Sequence, residues 1–66
     1  MKNTIKVQRA ILDLTQDDLA KKIGVSRQTI NSIEKNRYVP STVLALKLSL
    51  VFNISVNDFF TLEEED

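Results

Sequence analysis

At 66 residues and zero net charge, the chain has room for one domain and one modest core, because a chain this short buries only a little over half the surface its unfolded form exposes. It contains neither Cys nor His, which excludes disulfides, ordinary zinc sites and the usual nucleophile–base pairs of catalysis. Extra stabilisation is then expected from oligomerisation.

A composition of 42% apolar and 27% charged residues, with one Gly and one Pro, is that of a folded, helix-rich domain. The longest apolar stretch, residues 43–52, is too short for a membrane span and contains Lys47, and the N-terminal MKNTIK lacks the apolar run of a signal peptide. A cytoplasmic protein is expected. Zero net charge conceals a polarity. Residues 1–48 hold nine basic and four acidic groups, +5, whereas residues 49–66 hold five acidic groups and no base, −5.

Hydroxyl residues that accept the unpaired N–H groups of a first helical turn divide the chain. Thr4 is expected to cap a first helix through about residue 12. Thr15, with Asp18 three residues on, forms a carboxylate variant of the capping box and opens a second helix containing Leu19, Ala20 and Ile23, which Gly24 stops. Ser26 caps a third helix, 27–35, with Ile30 and Ile33 on one face and Gln28, Asn31, Ser32 and Lys35 turned outward. A loop at 36–40 leads to Ser41, the cap of a fourth helix that ends near Phe52 with Asn53 as a left-handed stop. Ser55 with Asp58 repeats the capping pattern and predicts a short fifth helix through about Phe60. Residues 60–62 are then free to lie as a strand beside residues 1–3.

A short helix, a turn pinned by one Gly and a second helix with a polar outer face have the geometry by which a helix enters the DNA major groove. The string LTQDDLAKKIGVSRQTINSIEKNRYVPS, residues 14–41, with Gln16, Ala20, Gly24, Val25, Ile30, Ile33 and Glu34 at its key spacings, resembles the lambda-repressor-like (XRE/Cro) family, specifically its compact stand-alone regulators. The likeness extends from Ile5 to Phe60. It implies an all-α, five-helix domain of bacterial, archaeal or phage origin, one domain over 1–66, with the helix-turn-helix at 15–35 and dimerisation elements within 43–62.

The resemblance places Ser26, Arg27, Gln28, Asn31 and Ser32 against base edges, where Arg pairs with guanine and Gln or Asn with adenine. It places Gln16, Thr29, Lys35, Asn36, Arg37 and Tyr38 against backbone phosphates, where they supply affinity without sequence information. Gln16 also opens the second helix, and a helix N-terminus suits an anion. Arg9 and Glu34 match a partly buried ion pair between the first and third helices. Two residues depart from the pattern: Asp13 stands at a helix end where relatives often carry Gly, and Gln8 where many carry an aliphatic residue.

The fourth helix has two apolar faces. Ala45, Leu48 and Phe52 make one, and Val43, Leu46 and Leu50 recur almost opposite. The second stripe, with Ile54, Val56, Phe59 and Leu62, is expected to form a two-fold homodimer contact. Residues 63–66 read as a solubilising acidic end.

The expected function is sequence-specific binding of double-stranded DNA by a homodimeric repressor at a palindromic operator. The alternative is an antitoxin-type autoregulator whose fourth helix binds a partner protein. RNA is a weaker target, because no interleaved aromatic platform accompanies the basic residues. No metal, cofactor or enzymatic activity is expected; Asp17 and Asp18, being adjacent, diverge by about 100° on a helix and cannot converge on one substrate.

Overall fold

The computed structural model describes all residues, 1–66. In chain order they form β1 (Lys2–Asn3), α1 (Ile5–Ile11), α2 (Gln16–Ile23), α3 (Arg27–Glu34), α4 (Thr42–Phe52), a 3-10 turn (Val56–Asp58) and β2 (Phe60–Thr61). The architecture is therefore mostly helical, with four α-helices and a two-stranded antiparallel ribbon that pairs Lys2 with Thr61 and Asn3 with Phe60.

Three of the expected helix starts form as capping chemistry dictates. Thr15 Oγ accepts from Asp18 N at 3.0 Å while Thr15 N donates to the Asp18 carboxylate at 3.0 Å. Ser26 Oγ accepts from Thr29 N, and Ser41 Oγ from Leu44 N. At α1 the expectation fails. The Thr4 hydroxyl makes no capping bond, and Asn3 Oδ1 takes the Ile5 N–H instead, at 3.2 Å. Asn3 has the better acceptor, and its position in β1 aims it at the helix start.

All four helices stop by one device. Asp13, Gly24, Asn36 and Asn53 have left-handed backbones, at φ 57, 75, 60 and 56°. The next amide in each case donates to the carbonyl five residues back: Leu14 to Arg9, Val25 to Ala20, Arg37 to Ser32 and Ile54 to Ser49, at 2.8, 3.0, 2.9 and 3.3 Å. At Gly24 a Cβ would meet nothing within 4 Å, so the conformation, not crowding, calls for glycine there. Asp13, the departure from the family pattern, occupies the same conformation with a side chain.

The expected fifth helix is a single 3-10 turn. It cannot continue, because the Phe59 carbonyl accepts the Thr4 N–H at 2.9 Å and Phe60 pairs with Asn3 in the ribbon. The ribbon itself is shorter than expected, since Met1 and Leu62 lie outside it. The core comprises Ile5, Leu19, Ala20, Ile23, Ile30, Ile33, Leu48, Phe52, Phe59 and Phe60. Phe59 stands edge-on to Phe52, with ring centroids 5.2 Å apart, the favoured packing of two quadrupoles.

Asp13 carries both the strain of a left-handed non-glycine residue and a negative charge at the negative end of α1. Asp13→Gly should raise stability by about 1 kcal/mol, net of the greater freedom of glycine in the unfolded chain. Urea denaturation checks this; an unchanged or lower midpoint contradicts it.

Candidate nucleic-acid interface

Ile30 and Ile33 bury one side of α3 while Arg27, Gln28 and Lys35 stand exposed on the other. Asn31 and Ser32 are half-buried at the flanks. Ser26 and Thr29, whose hydroxyl oxygens lie 2.9 Å apart and share a hydrogen bond, form the N-terminal corner. Past the C-terminus of α3, Asn36, Arg37 and Tyr38 are exposed in the loop. The residues expected to meet bases or phosphates are thus gathered along α3 and its two ends, except Gln16, which opens α2.

Arg9 and Glu34 form the expected ion pair in bidentate geometry. Arg9 Nε donates to Glu34 Oε2 at 2.6 Å and Nη2 donates to Oε1 at 3.1 Å. Arg9 Nη1 also donates to the Leu14 carbonyl at 3.0 Å. The two side chains are only 13% and 9% exposed, so the pair is largely shielded from water and orients α3 against α1. Gln8, half-buried on the same helix, has not prevented α1 from forming.

Gln16 is placed differently from a simple phosphate ligand. Its Nε2 donates to Glu34 Oε1 at 3.2 Å and to Asn31 Oδ1 at 3.3 Å, which uses both amide hydrogens inside the protein. Its backbone N–H remains at the start of α2, where an anion is favoured.

One residue central to this region was missed in the sequence. Asn3 Nδ2 donates to the Ile33 carbonyl and to Asn36 Oδ1, each at 3.0 Å, so the ribbon holds the exit of α3 and the loop that carries Arg37. Lys47 likewise reaches back, donating to the Ile23 carbonyl at 3.4 Å. No local pattern announces contacts across 24 to 33 residues of chain.

The electrostatics favour a polyanion. Asp17 pairs with Lys21 and Glu34 with Arg9, whereas Arg27, Lys35 and Arg37 enter no ion pair. Glu63 and Asp66 gather at the Met1 amino group, 3.0 Å away. The Glu63 backbone N–H, which donates to Asp66 at 2.8 Å, and then the amine hold the Asp66 carboxyl below its ordinary range, while Asp66 and Glu63 raise the amine above its own. No cluster of His, Cys, Asp and Glu able to hold a metal ion is present, and no helix is long and apolar enough to cross a membrane.

The outer stripe of α4 is exposed: Val43, Leu46 and Leu50 at 61%, 55% and 81%. Leu62 is exposed as well, and Ile54 and Val56 are half-buried against the core. Phe59 does not belong with them. It is 1% exposed, locked between Phe52 and Phe60, because the 3-10 turn ends one residue earlier and turns its ring inward.

The family model described as helix-turn-helix matches residues 5–59. The chain belongs to the XRE-like helix-turn-helix family. An uncharacterised HTH-type transcriptional regulator of Methanocaldococcus jannaschii is 52% identical over the whole of both chains. Among solved structures, the SOS-response transcriptional repressor LexA of Eubacterium rectale superposes with a TM-score of 0.78 at 31% identity, over 94% of this chain and 66% of that one. A SinR/SinI complex gives 0.76 at 33% identity, over 92% of this chain and 65% of the other. The chain thus spans just under two thirds of those longer structures. It has the DNA-binding fold of a transcriptional regulator, a non-enzymatic class.

The start of α2 carries a pH signature. Bonds from the Thr15 backbone N–H and side chain hold the Asp18 carboxyl below its ordinary value of 3.8. A lowered folded-state pKa stabilises above the unfolded value and loses that contribution as the pH falls below it. Asp18→Asn should therefore be less stable than the parent at pH 7, with the gap closing below about pH 4. Thermal melts at both pH values check it; a gap independent of pH contradicts it.

Proposed function

We propose that the chain is a repressor that binds double-stranded DNA sequence-specifically, as a homodimer on a palindromic operator, with α3 of each copy in the major groove. The observation that carries this reading is the division of α3: Ile30 and Ile33 are buried, while Arg27 and Gln28 are exposed together beside the unpaired cations Lys35 and Arg37. Ser26, Arg27, Gln28, Asn31 and Ser32 are the base-contacting set. Thr29, Lys35, Asn36, Arg37 and Tyr38, with the backbone N–H of Gln16, are the phosphate-contacting set. Occupancy of the operator then blocks RNA polymerase.

The dimer contact is assigned to Val43, Leu46, Leu50 and Leu62, flanked by Ile54 and Val56. Three exposed apolar residues on one helix face of so small a domain ask for cover, and a single recognition helix reads too few base pairs for specificity. Half-sites about 34 Å apart, one helical turn, follow from the two-fold geometry. The naming of relatives as transcriptional regulators favours this reading over an antitoxin.

Binding-site selection from random duplex DNA, repeated with variants, tests the division of labour. Arg27→Ala should relax preference at one base pair, at a cost of about 1–3 kcal/mol, and Arg37→Ala should weaken all sequences alike and lower the salt slope by about 1. Equal, sequence-blind losses from both contradict it. Sedimentation equilibrium tests the interface: Leu50→Glu should convert dimer to monomer, and an unaltered dimer excludes this contact.

A further inference from the structure

Arg9, Glu34, Gln16 and Asn31 form one continuous chain of hydrogen bonds, and each link has a single chemically allowed direction. Arg9 has only donors, and the Glu34 carboxylate that receives two of them has only acceptors. The end of the Gln16 amide that meets Glu34 Oε1, at 3.2 Å, must therefore be its nitrogen. That same nitrogen lies 3.3 Å from the Asn31 amide, so the Asn31 atom facing it must be the carbonyl Oδ1. Asn31 Nδ2 is left pointing away from Gln16. Asn31 also lines an open hollow of about 470 Å³ whose other walls are Gln16, Arg27, Gln28 and Lys35.

An exposed Asn ordinarily turns its amide end for end to suit its partner. Here reversal sets nitrogen against nitrogen at Gln16, or, if Gln16 turns too, its carbonyl against the Glu34 carboxylate. Either arrangement loses a hydrogen bond and gains a repulsion.

We propose that Arg9, Glu34 and Gln16 are positioning residues that fix the Asn31 amide with its donors toward the DNA, so that Asn31 reads a base bearing a major-groove acceptor and rejects cytosine. Purine N7 and thymine O4 satisfy such a donor, whereas cytosine presents only an amino group on that edge. This rests on α3 being the groove-reading helix. It also gives the Gln16 side chain a role in base choice in place of phosphate binding.

Binding-site selection with the intact chain, Asn31→Asp, Gln16→Ala and Glu34→Gln tests the relay. Asn31→Asp replaces the donor by an acceptor and should re-specify one position of each half-site toward cytosine, which identifies the base pair in question. At that position the parent should disfavour cytosine by roughly tenfold or more. Gln16→Ala, which removes only a half-buried side chain at the surface, should erase most of that discrimination and leave preferences elsewhere intact. Glu34→Gln should relax the same position, and should its melt show unfolding, Gln16→Ala decides alone. A uniform affinity loss in Gln16→Ala, with cytosine still rejected, overturns the relay. A parent that selects no sequence at all overturns the DNA-reading proposal, and the relay with it.

Discussion

The Arg9 guanidinium reaches two parts of the chain that helix geometry alone leaves loose: the Leu14 carbonyl in the α1–α2 connection and the Glu34 carboxylate at the end of α3. Helices of eight residues such as α2 and α3 are too short to persist alone in water, so their orientation must come from packing and from contacts of this kind. A shielded ion pair contributes little net stability unless its remaining hydrogen-bonding capacity is used. Here Leu14 and Gln16 use it. The pair's main effect is then geometric, fixing which side of α3 faces outward.

With that side fixed, the charge distribution acquires a direction. Acidic groups near the helix-turn-helix are spent locally, Asp17 on Lys21, Glu34 on Arg9 and Asp18 on the capping box. Arg27 at one end of α3 and Lys35 and Arg37 at the other enter no ion pair. Zero net charge and attraction to DNA are compatible because association responds to the local field over about a Debye length, roughly 8 Å at physiological salt, and not to the molecular total. The same smallness that makes the core modest leaves Val43, Leu46 and Leu50 exposed, and on that exposure the proposed dimer contact rests.

What was legible in the sequence was local. Thr15 with Asp18, Ser26 and Ser41 announce helix starts, and Gly24 and Asn53 announce stops, because capping involves residues within a turn of one another. The Arg9–Glu34 pair, 25 residues apart, came through the family likeness and not from any local signal. The rest was hidden in long-range competition. Asn3 displaced Thr4 as the cap of α1 because the ribbon delivers it there, and the Phe59–Thr4 backbone bond cut the fifth helix to a 3-10 turn. Phe59 lost its expected place on the surface for the same reason. The left-handed backbone of Asp13 was signalled only by its standing where relatives often carry Gly, and that of Asn36 was masked by its place in a loop.

On the proposed function α3, held by Arg9 and Glu34, presents the DNA-binding surface and the outer face of α4 does not. Titrating the isotopically labelled protein with duplex DNA and following backbone and side-chain amides by NMR tests it most directly. The largest shifts should fall on Gln16, on residues 26–38 and on the Asn31 side-chain amide, with Val43, Leu46 and Leu50 unmoved. Shifts concentrated on α4, with the Asn31 amide unchanged, would contradict it.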